Sequence, residues 1–60
     1  MSVEDNVKRV RLAVAAGVVE EAEVTRRWVE FNRRPEWWGL PLTHDNMTII
    51  TDAFVKELLP

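Results

Sequence analysis

Apolar residues recur with a helical period along the first third of the chain. The helix-forming stripe consists of Val3, Val7, Val10 and Val14, spaced four, three and four residues apart. Ser2 is a good N-cap, and Glu4 and Asp5 place negative charge in the first turn, where the helix dipole favours it. Gly17 is suited to the C-terminal cap. The pattern predicts a first helix over residues 3–16, with Leu12 on the side opposite the valine stripe.

A second apolar pattern predicts a helix over residues 19–34. Its expected buried face is wide enough to pack on two neighbours, and it comprises Val18, Ala22, Val24, Thr25, Trp28, Val29 and Phe31. The outer face is charged, with acidic residues near the N-terminus of the helix and arginines near its C-terminus. Glu23 with Arg27 and Glu30 with Arg34 have the i,i+4 spacing of stabilising ion pairs. Pro35 should end this helix, because the residue before a proline avoids the helical conformation.

Residues 33–43, which we call the connector, contain two prolines, one glycine and two tryptophans. Pro35 through Trp38 can form one helical turn, with proline at its favoured first position and Gly39 closing the turn. Trp37 and Trp38 are adjacent on this turn and therefore point in different directions. We expect one of them to pack inward and the other to lie on the surface.

A third helix is predicted over residues 44–59, with Thr43 as its N-cap and Asp45 in its first turn. Residues 47–51 are rich in β-branched side chains, so a short strand is an open alternative. We favour the helix because the chain offers no second strand to pair with it. The whole pattern predicts an all-α fold, a small three-helix domain over residues 1–60 with a Trp/Pro-rich connector before the third helix.

Length and composition narrow the classes of function. Sixty residues allow one domain, and 47% apolar with 30% charged residues is the composition of a chain that folds. With no cysteine and one histidine, thiolate and all-histidine metal sites are excluded, while a site built from carboxylates stays open. We predict no metal or other cofactor. The N-terminus lacks the apolar run of a signal peptide, and no stretch is long enough to span a membrane. We therefore expect a soluble protein of the cytoplasm.

The region around the turn between the first and second predicted helices resembles a helix-turn-helix motif. Ala13 and Gly17 have the spacing of the small residue and the glycine in that motif, and a helix follows. The resemblance implies a DNA-binding regulator whose Arg26, Arg27, Arg33 and Arg34 contact phosphates or base edges. The buried pair that follows the turn would here be Val24 and Trp28, which come about one residue later than the motif requires. Three glutamates at the start of the second helix would also face phosphates, which is electrostatically unfavourable.

Three tryptophans, two phenylalanines and the valine stripe are a large apolar load for three short helices. The stripe also forms two heptads, with Val7 and Val14 at position a and Val10 at position d, which could pack on a facing helix. Exposed tryptophan beside arginine is typical of interface hot spots. We therefore predict a small regulatory protein-binding module that self-associates through an apolar patch. Its predicted contact residues are Trp37, Trp38 and Leu12, with a rim of Arg33, Arg34 and Glu36.

We predict that the chain is not an enzyme and has no small-molecule substrate. An active site needs a nucleophile, acid or base held in a pocket. His44 and Asp45 are the only neighbouring residues of catalytic type, and their position at a helix start explains them as first-turn residues.

Overall fold

Three α-helices and one short 3-10 turn make up the fold, in a computed structural model that describes residues 2–59. The helices are α1 (Val3–Ala15), α2 (Glu21–Asn32) and α3 (His44–Leu58), and the 3-10 turn Pro35–Trp37 lies between α2 and α3. No residue from 2 to 59 belongs to a strand. The structure confirms the predicted all-α class with three helices and a connector before the third.

Both ends of α1 have the predicted caps. The Ser2 hydroxyl accepts from the backbone N–H of Asp5 (3.1 Å), and the Asp5 carboxylate accepts from the backbone N–H of Ser2 (3.4 Å). Gly17 has a φ of +75°, and the N–H groups of Gly17 and Val18 donate to the carbonyls of Val14 and Ala13. This is a Schellman motif, which needs a left-handed residue at the position that Gly17 occupies.

Helix α2 is shorter than predicted at both ends. It starts at Glu21 because Glu20, its N-cap, is extended (φ −85°, ψ 145°) and the turn after α1 takes up the residues before it. It ends at Asn32 because Arg34, immediately before Pro35, is extended with a ψ of 137°. Pro35 then begins the 3-10 turn, and Gly39 follows it with a φ of +79°. The helical turn predicted for the connector is therefore present.

Helix α3 is continuous, so residues 47–51 are helical and the strand alternative is wrong. Thr43 is its N-cap, as predicted, and its hydroxyl accepts from the backbone N–H of Asn46 (3.1 Å). The hydroxyls of Thr48 and Thr51 donate to carbonyls four residues earlier, which satisfies them within the helix. Burial of Ile50 and Thr51 outweighs the modest helix propensity of β-branched residues.

The core lies along α3, which packs on both other helices. Its centre is a cluster of Phe31 from α2 with Ile50, Phe54 and Leu58 from α3. The Phe54 ring meets Trp28 edge-on at 5.0 Å between centroids and lies 5.4 Å from Phe31. Aromatic pairs at these distances add to the stabilisation that burial alone provides.

Helix α1 packs on α3 through a polar residue that the apolar pattern did not indicate. Asn6 is 2% exposed, and its amide nitrogen donates to the Thr51 hydroxyl (2.9 Å) and the Asp52 carboxylate (2.6 Å). Since a carboxylate only accepts, this contact determines which way the amide of Asn6 points. The valine stripe lies beside this contact, and none of its four valines is fully buried.

Candidate protein-binding surfaces

The structure brings five of the six predicted contact residues together at the end of α2. Arg33, Arg34, Glu36, Trp37 and Trp38 follow one another along the connector, and we call them the connector surface. The 3-10 turn holds them, with the N–H of Trp38 donating to the carbonyl of Pro35 (3.0 Å). Their grouping follows from the turn that Pro35 begins.

The two tryptophans of the connector surface have different environments, as expected for neighbours on a turn. Trp37 packs inward on Phe31, with 5.4 Å between ring centroids, and is partly buried. Trp38 is 70% exposed. Its indole N–H donates to the carbonyl of Arg33 (3.1 Å), which ties the exposed ring to the end of α2. Trp37 therefore anchors the turn, and Trp38 presents apolar surface to solvent.

Arg34 is held against the fold rather than left free at the rim. Its guanidinium forms two hydrogen bonds of 2.7 Å to the Glu57 carboxylate and lies 4.6 Å from the centre of the Phe31 ring. The Glu36 carboxylate is 3.8 Å away. The hydrogen bonds from Arg34 lower the pKa of Glu57, and they outweigh desolvation, which acts in the opposite direction. Arg34 thus joins the end of α2 to the end of α3.

The Arg34–Glu57 pair makes thermal stability depend on pH in a defined direction. Replacing Arg34 by glutamine should lower the Tm at pH 7 more than the same change at Arg33, its exposed neighbour. Because the pKa of Glu57 is lowered in the folded state, the pair stabilises above the ordinary glutamate pKa of about 4.3 and is lost as pH falls through the lowered value. Thermal unfolding followed by circular dichroism from pH 7 to pH 2 measures this.

Arg33→Gln is the matched control, since it removes the same charge from a residue with no ion pair within residues 2–59. The difference in Tm between the two variants should shrink in acid. Equal Tm values for the two variants at pH 7 would show that the Arg34–Glu57 pair contributes nothing.

The arginines of α2 are engaged differently from the predicted i,i+4 pattern. Arg26 pairs with both Glu23 and Glu30, with an N–O distance of 3.0 Å to Glu30. The predicted partners Arg27 and Arg34 turn instead to Glu57 on α3, where Arg27 donates to its carbonyl oxygen (3.2 Å). The pairs predicted from spacing were wrong because contacts to α3 compete with contacts along α2.

These contacts bear on the DNA-binding alternative. Of its four arginines, Arg26 and Arg34 are neutralised by carboxylates, and Arg27 is bound to a backbone carbonyl. Arg33 is the exposed member without an ion pair in the part of the chain described here. A face for phosphates needs several uncompensated cations side by side. The geometry therefore offers no observation in favour of this alternative.

Leu12, the sixth predicted contact residue, lies apart from the connector surface. It is 70% exposed, at about 160° around the axis of α1 from Val10, which packs on the core. No hydrogen bond, ring contact or core cluster among residues 2–59 joins it to the tryptophans. Leu12 therefore belongs to the outer face of α1.

A groove between α1 and α2 is a second candidate surface, and sequence reasoning did not place it. It has a volume of about 340 Å³ with α3 as its floor. We call it the α1–α2 groove, and its lining is mostly apolar: Asn6, Val7, Val10, Arg11, Val24, Thr25, Trp28, Thr51, Phe54 and Val55. The signal that could have found it is the two-heptad valine stripe, of which Val7 remains 41% exposed.

Residues 2–59 contain neither a cluster of metal-ligating side chains nor a membrane-spanning helix. No group of three or more histidine or acidic side chains is placed to hold a metal ion within residues 2–59. His44 and Asp45 are exposed in the first turn of α3. None of the helices in the described part of the chain is long and apolar enough to cross a membrane.

Comparison with known protein families, with curated proteins and with solved structures finds no match to this chain. Any functional assignment therefore depends on the two surfaces described above.

Proposed function

We propose that this protein is a small cytoplasmic protein-binding module that self-associates and also docks a different protein through its connector surface. The observation that supports this most directly is Trp38, which is 70% exposed yet tied to the Arg33 carbonyl by its indole N–H. Leaving a large aromatic ring in water forgoes the stabilisation of burial. A tryptophan held in this way is the kind of residue that dominates binding energy at protein interfaces.

The connector surface is arranged for binding with little loss of conformational freedom. Pro35 fixes the start of the turn, and Trp37 anchors it on Phe31. Arg34 ties the preceding residue to α3 through Glu57. Side chains that are already ordered lose less entropy on binding, which increases affinity for a given contact area. In this proposal Trp37 and Arg34 hold the surface in place, and Trp38 makes the central contact.

The charges beside Trp38 define the chemistry of the partner. Arg33 is exposed and has no ion pair among the described residues, whereas Glu36 is within reach of Arg34. We therefore expect the partner protein to offer an apolar pocket for the Trp38 ring with a carboxylate beside it for Arg33. Such a charge at the rim sets orientation and association rate more than affinity.

Replacing Trp38 by alanine should weaken partner binding while leaving helicity intact. Loss of a central tryptophan typically costs about 2 kcal/mol or more, which is about 30-fold in Kd. A photoreactive amino acid at Glu36, on the rim, would capture the partner in the native cell. The captured protein is then purified and titrated against the wild-type chain and the Trp38→Ala variant, with far-ultraviolet circular dichroism as the measure of helicity.

Val18→Ala is the matched control. Val18 was predicted on the buried face of the second helix, but it lies in the turn after α1 and is as exposed as Trp38. The proposal predicts one discrete adduct that disappears in the Trp38→Ala background and persists in the Val18→Ala background. An adduct that survives Trp38→Ala, or a loss of helicity in step with the loss of binding, would contradict the proposal.

A further inference from the structure

The valine stripe of α1 is an apolar helix face that residues 2–59 cover only in part. Helix α1 contacts α3 on the side of Asn6, which is buried. In the stripe beside it, Val7 is 41% exposed, and the other three valines are partly buried. Val7 and Val10 line the α1–α2 groove, and Arg11 lies beside them. The valine stripe therefore continues from the α3 contact into the open groove.

From this face we infer that two copies of the chain pair through α1, antiparallel, with each α1 covering the other's α1–α2 groove. The inference specifies the surface for the self-association in the proposed function, and it is independent of the connector surface. Its first support is the spacing of the stripe. Intervals of four, three and four read the same in both directions. A two-fold axis midway between Val7 and Val10 therefore sets Val3 opposite the partner's Val14, and Val7 opposite the partner's Val10.

The charges beside the stripe support the same arrangement. With Val7 at heptad position a and Val10 at d, Glu4 and Arg11 occupy the two e positions. An antiparallel pair brings e positions together, so Glu4 meets the partner's Arg11, and symmetry repeats the contact. A parallel pair would set Arg11 against Asn6, which is buried on α3. Neither Glu4 nor Arg11 has an ion pair within residues 2–59 that would compete.

The dimensions of the single chain also indicate uncovered surface. Its accessible surface is 4454 Å², compared with about 4,000 Å² expected for a globular monomer of this length. Its radius of gyration is 11.6 Å, compared with about 10.4 Å expected. Two copies that cover each other's α1–α2 groove would bury apolar surface that is accessible to solvent in a single chain.

Two heptads are too short to pair as isolated helices, because nucleating a helix in water is unfavourable. Here α1 is already formed, with a capping box at Ser2 and a Schellman motif at Gly17, and Asn6 holds it on α3. Pairing needs no further ordering of the backbone. The interface is about 20 Å long, the length of α1, so we expect a reversible dimer.

Charge reversal at the two e positions tests the arrangement. Glu4→Arg and Arg11→Glu each turn two attractive contacts into two repulsive ones, and each should raise the dimer dissociation constant at least about ten-fold. An equimolar mixture of the two variants should dimerise again, because every contact between unlike chains is then attractive. Sedimentation equilibrium from micromolar to millimolar concentration measures the mass of wild type, each variant and the mixture.

Lys8→Glu is the control, since Lys8 is exposed and falls at heptad position b, outside the proposed pairing. It should leave the dissociation constant unchanged. Circular dichroism checks that each variant remains helical, and recovery in the mixture excludes misfolding as the cause of dissociation.

Three results would overturn the antiparallel α1 dimer: a wild-type monomer at every concentration, unchanged dimerisation in both single variants, or a mixture that stays monomeric. If dimerisation persists in the charge variants but is lost in Trp38→Ala, self-association uses the connector surface instead. Binding of a different protein at Trp38 is measured separately. Failure of the α1 dimer therefore leaves that part of the proposed function standing, and failure at Trp38 leaves the dimer standing.

Discussion

Replacing Phe54 by alanine is expected to lower the free energy of unfolding by about 3–5 kcal/mol, the usual cost of removing a buried phenylalanine. Phe54 is 6% exposed and contacts both Trp28 and Phe31, so its ring joins α2 to α3. A domain of this length has a total stability of only about 3–9 kcal/mol. We therefore expect the Phe54→Ala variant to be largely unfolded, as measured by urea titration with circular dichroism and tryptophan fluorescence.

Ile49→Ala is the control for Phe54→Ala, because Ile49 lies on the same helix and is 59% exposed. Substitutions of this kind usually change stability by no more than about 0.5 kcal/mol. A Phe54→Ala variant that unfolds at nearly the same urea concentration as Ile49→Ala would mean that the aromatic cluster is not the centre of the core.

Replacing Asn6 by aspartate is the second change with a large expected effect. The amide nitrogen that donates to Asp52 would become a carboxylate oxygen, so two carboxylates would meet at the site of a 2.6 Å hydrogen bond. Asn6 is 2% exposed, and an unpaired charge at such a site typically costs about 3–5 kcal/mol. Since the side chains have the same shape, Asn6→Asp tests the hydrogen bond rather than the packing. Urea titration against wild type measures the cost.

The penalty of Asn6→Asp should depend on pH with a predictable sign. Burial beside Asp52 would raise the pKa of the introduced carboxyl above its unfolded value of about 3.9. A group with a raised pKa in the folded state destabilises more as pH rises above the unfolded value. The difference from wild type should therefore be smallest below about pH 4 and largest near neutrality.

A compensating change at Asp52 separates this hydrogen bond from other effects of the substitution. In the double variant N6D/D52N the donor and acceptor exchange places, so a hydrogen bond can form again. We expect the double variant to be more stable than Asn6→Asp alone, with a coupling energy measured by the double-mutant cycle. Additive effects of the two substitutions would show that residues 6 and 52 do not interact.

Docking of α1 through Asn6 also explains why the α1–α2 groove exists. The polar contact with Thr51 and Asp52 sets the rotation of α1 about its own axis. That rotation leaves part of the valine stripe directed into the groove, where Val7 stays accessible. A leucine at position 6 would make the α3 side of the helix continuously apolar. We attribute the partial exposure of the stripe to this asparagine.

The connector surface was predicted more completely than the groove. Adjacent positions on a turn implied that Trp37 and Trp38 would have different environments, and the structure shows which is inside. The role of Arg34 could not be predicted from its neighbours, because its main partner Glu57 is 23 residues away in the chain. The predicted partner Glu30 pairs with Arg26 instead. Spacing along one helix does not reveal such competition from a second helix.

Short-range order along the chain was enough to predict the three helices, the caps of α1 and α3, and the turn of the connector. Ser2, Gly17, Pro35 and Thr43 act through bonds and dihedral angles that involve residues no more than about five positions away, so their effect can be predicted from short-range order. Long-range contacts account for the docking of α1 through Asn6, the binding of Arg34 to Glu57, and the groove between α1 and α2. These depend on which faces of distant segments meet, and that choice minimises the free energy of the whole chain rather than of any one helix.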